Sequence, residues 1–231
     1  MKIKFYSFVL IFIISIFTFS KLYSHTGHYK NIALIEMDIY RNGEIIGYSN
    51  YFFNSYGDIF EVSNETQFEV KIAGIKLFSV KSISKEKYKN DQLIEFNSET
   101  MQNDKRKFVN LVYDKSNEFF IIDGSSYKGK GDKENIVGNW WNHKILTSNS
   151  QISPLSGSIK QQEVNFISKE ILTINGNNIS VDHFKLKSTD KNLESDKKLD
   201  FDIWYDSKNN IIVKIEYNRL GKWQYILKKI E

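Results

Sequence analysis

The chain has 231 residues, 41% apolar and 15% aromatic, enough to build a core for one good-sized domain or two small ones. It contains no cysteine, which excludes structural disulfides, thiol catalysis, Cys-ligated zinc and a lipid-modified N-terminal cysteine. The formal charge of +4 comes from 32 basic and 28 acidic residues, and its excess sits at the N-terminus.

There, Lys2 and Lys4 precede an apolar run over residues 5–19, followed by Ser20, Lys21 and Ser24. That order reads as a secretory signal peptide covering residues 1–24, with cleavage after Ser24 preferred to cleavage after Ser20. The alternative is an uncleaved anchor, although the run falls short of the roughly 20 residues that span a bilayer. Processing removes three lysines and no acid, leaving 29 basic against 28 acidic residues. No concentrated basic surface for nucleic acid remains, and the expected location is the periplasm of a Gram-negative bacterium or the medium.

Cleavage after Ser24 makes His25 of the stretch HTGH the first residue. A free amine, the His25 imidazole and His28 are donors that suit copper, but the plainer expectation is a frayed terminus without metal. No cofactor is expected.

From residue 31 onward, short runs rich in Ile, Val, Phe and Tyr alternate with turn residues. Asn42-Gly43 predicts a two-residue hairpin pairing Arg41 with Glu44, Tyr40 with Ile45, Ile39 with Ile46 and Met37 with Tyr48. Further turns are expected at 56–58, 73–74, 90–91, 103–104, 116–117 and 175–176. The connections are too short for crossover helices, so the strands form an antiparallel meander. About a dozen such strands cannot stay flat, because twist accumulates and edges must be covered. The expected fold is all-β, a strongly curved antiparallel sheet or half-closed barrel. A two-sheet sandwich is the alternative.

The pattern breaks over residues 124–157, a Gly- and Ser-rich insertion carrying the only proline, Pro154, with one short helix expected over 139–147 and no strand. Residues 25–231 otherwise form a single β domain. The stretch GSSYKGKG nearly spells a phosphate-binding loop, but Gly131 stands where the hydroxyl should be, so it reads as a basic loop. Trp140, Trp141 and His143 in the insertion are candidate ligand-binding residues, as indoles make good walls for lipid or sugar sites and His titrates near neutrality. His183 belongs to a strand with Ile179 and Val181 on its face. Separate strands are expected over 162–167 and 171–174.

In the last hairpin, DFDIWYDSKNNIIVKIEY, a three-residue loop 207–209 pairs Asp206 with Asn210. Phe201, Ile203 and Tyr205 then face Ile215, Val213 and Ile211, while Asp202 faces Lys214 and Trp204 faces Ile212. This register assigns Tyr205 to the main core and Trp204 to a second face. Trp204 either packs with Ile212 under a neighbouring segment or, with Asp202, lines a concave apolar site.

ETQFEVKI followed by KLFSV, the strand end FNSETMQND, Trp141-Asn142, the SPLSG loop and the terminal DIWYD together resemble an exported bacterial family, domain-of-unknown-function family 6134. The resemblance implies no activity, cofactor or catalytic residue. That family is distantly similar to the half-barrel lipoprotein carriers of the periplasm, which bind acyl chains in a curved sheet. Fold alone does not carry function across.

Neither a Gly-x-Ser-x-Gly elbow nor an HExxH motif is present, so an enzyme ranks third among the functional readings. The first is an exported protein binding an apolar or amphipathic, lipid-like ligand in the curved sheet under the insertion. The second is an envelope interaction module that meets a protein partner.

Overall fold

A computed structural model of the protein describes residues 25–194 and 197–231. The expected signal peptide and both cleavage points lie outside the described residues. The described residues begin with a 3₁₀ turn, His25–Tyr29, which leads into strands β1 (Leu34–Arg41), β2 (Glu44–Tyr56), β3 (Ile59–Ile72), β4 (Ile75–Lys89) and β5 (Gln92–Gln102). Then come β6 (Lys105–Asp114), β7 (Phe119–Gly124), β8 (Lys128–Asp132), β9 (Ile136–Val137) and β10 (Ser150–Ile152). β11 (Ile159–Ile174), β12 (Asn177–Ser188), β13 (Asp200–Asp206), β14 (Ile211–Asn218) and β15 (Lys222–Ile230) complete the chain.

All fifteen strands join one sheet in the order β8-β7-β6-β5-β4-β3-β2-β1-β15-β14-β13-β12-β11-β10-β9. Every ladder is antiparallel except β9 with β10. The sheet is curved and does not close into a barrel. Asn42, Ala73, Asn90, Asp91, Asn103 and Asn175 all have positive φ, so the turn residues read from sequence do turn the chain.

Several details depart from the sequence reading. The insertion contains the short strands β8, β9 and β10, and its helix is a single 3₁₀ turn, His143–Leu146, capped by the Asn142 side chain on the Lys144 amide. Side-chain anchors on Asn139 and Trp141 hold the preceding residues in a separate turn, in which the Asn142 amide donates to the Asn139 carbonyl. The segments 162–167 and 171–174 merge into β11, bent at a bulge between Phe166 and Ser168.

The first hairpin keeps Arg41 opposite Glu44 and Tyr40 opposite Ile45, then slips by one residue. Ile39 therefore faces Gly47, and Met37 faces Ser49, in place of Ile46 and Tyr48. Gly47 also lets β2 approach β3 closely, since a Cβ there would lie 2.0 Å from the Gln67 carbonyl oxygen. The last hairpin is corrected in the same way. Its loop holds four residues, 207–210, Asp206 pairs with Ile211, and Asn210 takes the positive φ. A bulge between Trp204 and Tyr205 shifts the register further, so Tyr205 lies opposite Ile212 in place of Ile211, Trp204 opposite Lys214 in place of Ile212, Ile203 opposite Ile215 in place of Val213, and Asp202 opposite Glu216 in place of Lys214.

Two apolar clusters fill the interior. The larger gathers Tyr29, Phe53, Phe60, Phe96, Phe120, Trp141 and the aliphatics of β13 and β14. The smaller, Ile39, Phe68, Val70, Val80 and Trp223, lies toward the β1–β2 and β3–β4 turns. A buried polar belt sits on the same strands, with Ser49 bonded to Thr66 and Ser82 to Thr100, each at 2.7 Å.

Gly47→Ala should destabilise the protein by about 1–3 kcal/mol, because the clash is with backbone that cannot rotate away. Urea denaturation would check this; an unchanged midpoint would mean β2 and β3 can move apart there.

Candidate functional site

The insertion is fastened to the concave face by one carboxylate. Glu86, on β4 and fully buried, accepts from Trp141 Nε1 at 2.8 Å, Asn139 Nδ2 at 2.6 Å and Tyr88 OH at 2.5 Å. Burial pushes its carboxyl above the usual range, and the three donors oppose that rise. Trp141 is thereby held edge-on to Tyr29, Phe53 and Tyr88, with ring centroids 5.0–5.7 Å apart. Trp140 packs beside it against Phe201 at 5.0 Å.

Tyr29 closes this end. Its ring stacks on Phe53, and its hydroxyl lies 2.7 Å from Trp141 O, 3.0 Å from Asn210 O and 2.8 Å from His143 Nδ1. Both carbonyls only accept, and the hydroxyl has one proton to give. The arrangement that satisfies most groups makes His143 Nδ1–H the donor to the Tyr29 oxygen, leaving the Nε2 lone pair unused by that bond.

Three of the four histidines meet here. The His143 ring lies 4.6 Å from His25 and 5.8 Å from His28, centroid to centroid, and 5.7 Å from Tyr205. His25 Nδ1 and Nε2 are both buried without a hydrogen-bond partner. Burial, reinforced by the neighbouring His143, lowers the His25 imidazole to about 3. Burial and His28 lower His143 to about 4, so both rings are neutral at pH 7. Asp91, in the β4–β5 turn, accepts from the His25 amide at 2.9 Å, the Thr26 amide at 2.9 Å and the Thr26 hydroxyl at 2.6 Å. Residues 25–29, expected to fray, are instead docked, because Tyr29 and Asp91 pin both ends of their 3₁₀ turn.

Asp202 and Trp204 lie elsewhere, on the face of β13 opposite Ile203 and Tyr205. Trp204 is buried and joins the larger core cluster rather than standing apart from it. His183 stacks on one side of its indole at 4.5 Å, and Lys214 Nζ stands 3.9 Å from the ring centroid. Trp204 Nε1 donates to Glu170 on bent β11 at 2.9 Å. The two His183 nitrogens lie 2.9 Å from Glu170 Oε1 and 2.9 Å from Asp202 Oδ1. Burial raises the Asp202 carboxyl, but hydrogen bonds from Lys185 and His183 outweigh it and hold it below its ordinary value. Candidate residues from the sequence therefore split into two groups: Trp140, Trp141 and His143 come together, while Asp202 and Trp204 belong to a charged network across the sheet.

The domain of unknown function DUF6134 matches residues 37–228. The chain belongs to this family. No curated protein matches it. Among solved structures, this DUF6134 chain is similar to a β-barrel-like protein of domain of unknown function DUF1849 from Brucella abortus. Identity is 8% over 87% of this chain and 96% of that one, with a TM-score of 0.58, so the likeness is one of fold. A protein described as exported, with a YmcC-like fold, from Bacteroides fragilis aligns at 14% identity and a TM-score of 0.34, covering 86% and 94% of the two chains. A protein described as a lipoprotein from Parabacteroides distasonis aligns at 14% identity and 0.35, with the same coverages. The last two carry no argument here.

Glu86, Tyr29 and Asp91 escaped the sequence reading of this DUF6134 chain. A signal for Glu86 existed: Lys85, Lys87 and Lys89 alternate on the outward face of β4, which turns Glu86 inward. Tyr29 and Asp91 had none, because their partners are 112 and 66 residues away.

Glu86→Ala should strand Trp141 Nε1 and Asn139 Nδ2 at roughly 1–3 kcal/mol per group, whereas Glu86→Gln keeps an acceptor for both. A raised folded-state pKa contributes stability that is complete below the ordinary value of 4.5 and is lost as pH rises through the folded value. Urea titrations between pH 4 and pH 8 should show the wild type losing stability relative to Glu86→Gln as pH rises, with a flat difference counting against a buried acid.

Proposed function

We propose that this DUF6134 protein is exported and binds amphipathic lipid at the turn end of its curved sheet, rather than beneath the insertion. The interior under the insertion is occupied by Tyr29, Phe53, Phe60 and Trp141 in mutual ring contact, which moves attention to the opposite end. The β1–β2, β3–β4, β5–β6 and β14–β15 turns follow alternate strands of the meander and therefore share that end. Asn42 ties β1 to β15 there through Lys222, and Asn103 ties β5 to Ser79.

The observation that carries the reading is the apolar character of these turns. Ile45, Ile72, Ile75 and Leu77 are more than half exposed, and Leu220 is 91% exposed. They extend the smaller core cluster out into solvent. Large apolar side chains grouped at one end mark a contact surface. Arg41, Lys71, Lys76, Arg219 and Lys222 stand among them. Lys71 pairs with Glu69 in an exposed contact that costs little to exchange for phosphate, and the half-exposed Lys222 reaches the more buried Glu216. Apolar groups toward acyl chains and cations toward headgroups suit an anionic lipid surface, each cation near it contributing about 1 kcal/mol.

A second reading, an envelope interaction module, draws on β11. β10 covers only Ile159–Gln161 of its outer edge, so among the described residues 163–174 have a strand partner on one side only. Phe166, Ile167 and Ile171 are exposed along it. Such an edge accepts an added strand.

Co-sedimentation with phosphatidylglycerol and phosphatidylcholine vesicles separates the two. Lipid binding predicts retention on the anionic vesicles, weakened by salt and lost in Ile75→Ser/Leu77→Ser/Leu220→Ser but not in Phe166→Glu/Ile171→Glu. No retention, or equal retention by the turn variant, would reject it.

A further inference from the structure

We propose that processing after Ser24 completes a Cu(II) site at the mature N-terminus, in which His25 supplies its α-amine and its imidazole and His143 supplies the third nitrogen. Three observations converge on it. His25 is 7% exposed and neither of its ring nitrogens has a partner, although buried polar atoms are normally hydrogen-bonded. A bound cation gives one of them a partner.

His143 is the ring beside it, 4.6 Å away centroid to centroid. Two imidazoles sharing one ion at metal–nitrogen distances of about 2.0–2.1 Å place their centroids about 4.5–5 Å apart. The hydrogen bond from His143 Nδ1 to Tyr29 also fixes the tautomer a ligand needs, with its second nitrogen donating to a neighbour and Nε2 carrying a lone pair.

The amine is the third donor. The His25 nitrogen already lies 2.9 Å from Asp91 Oδ2, which also holds the following amide and hydroxyl through Oδ1. After cleavage this nitrogen becomes a terminal ammonium docked on a carboxylate. Copper binding releases one proton from it, and the coordinated amine keeps an N–H for Asp91, whose negative charge further favours a cation. Among the described residues no group of three or more His, Cys, Asp or Glu side chains is placed to hold a metal, and none is needed, because one ligand is backbone nitrogen. Amine and imidazole nitrogens select Cu(II) among the common divalent ions. His28, bonded through Nδ1 to Asn210, is the second histidine of the HTGH stretch, and the fold puts His143 in the role that sequence adjacency suggested for it.

The exported protein, its N-terminus read by intact mass, would be stripped with chelator and titrated with copper sulfate by calorimetry and electron paramagnetic resonance. We expect a chain beginning at His25 that binds one equivalent with nitrogen hyperfine structure. Affinity should fall at least tenfold in His143→Ala and in a form beginning at Lys21, which keeps every histidine but has no amine at His25. His28→Ala should bind as the wild type does, and circular dichroism on each variant identifies loss through misfolding; His143→Gln serves if His143→Ala does not fold. A mature chain beginning elsewhere, wild-type affinity in either the His143 variant or the Lys21 form, or loss confined to His28→Ala would overturn the site.

Discussion

Three residues, Lys133 to Asn135, join the two edges of a fifteen-strand sheet, and the rest of the structure depends on that tether. Laid flat, fifteen strands spaced about 4.8 Å apart would be about 67 Å wide. Crossing from Asp132 to Ile136 covers at most about 14 Å of extended chain. The sheet must therefore curl until β8 and β9 are neighbours across an open seam, which is why the fold is a half-closed barrel and not a sandwich. The insertion lies at that seam and grips both sides. It holds β4 through Glu86 and β5 through the Ser98–Pro154 contact at 2.5 Å. On the other side, β11 grips it through Gln162, bonded to the Ile145 and Ser148 carbonyls.

Curling a sheet this far concentrates inward side chains, and the protein meets the crowding with unequal residues along each strand. Aromatics fill the end beneath the insertion. Serines, threonines and Asn64 form a self-bonded belt across β2 to β5, where hydroxyls pair with one another. Bulges at Ile39/Tyr40, Phe166/Ser168 and Trp204/Tyr205 supply the bends. The last lets both Trp204 and Tyr205 be useful on opposite faces, one braced by His183 and Lys214, the other beside His143.

The two ends of the sheet differ in kind. One is sealed by the N-terminal 3₁₀ turn, with histidines, Tyr29 and Asp91 drawn from three distant segments into a buried polar nest. The other leaves aliphatic side chains and cations in solvent. Ordering the terminus costs conformational entropy, which the buried Tyr29 ring and the three hydrogen bonds to Asp91 offset.

From the sequence alone, the class of the fold, its antiparallel meander and nearly all its turns were legible, because Asn, Gly and alternating apolar residues act on neighbours two to four positions away. So was the burial of Ile203, whereas Phe201 and Tyr205, expected in the core, are only half-buried and Trp204, expected apart from it, is buried. Registers were not: the plain Asn42-Gly43 ladder and the three-residue loop after Asp206 each ignored a bulge, whose benefit appears only when a third strand packs against the pair. Of the candidate residues, Trp140, Trp141 and His143 were already adjacent, and the fold kept them so. Bringing His25 to His143, Asp91 to the N-terminus and Glu170 to Trp204 was decided by closure of the sheet, since those contacts bridge 34 to 118 positions that no local pattern can encode.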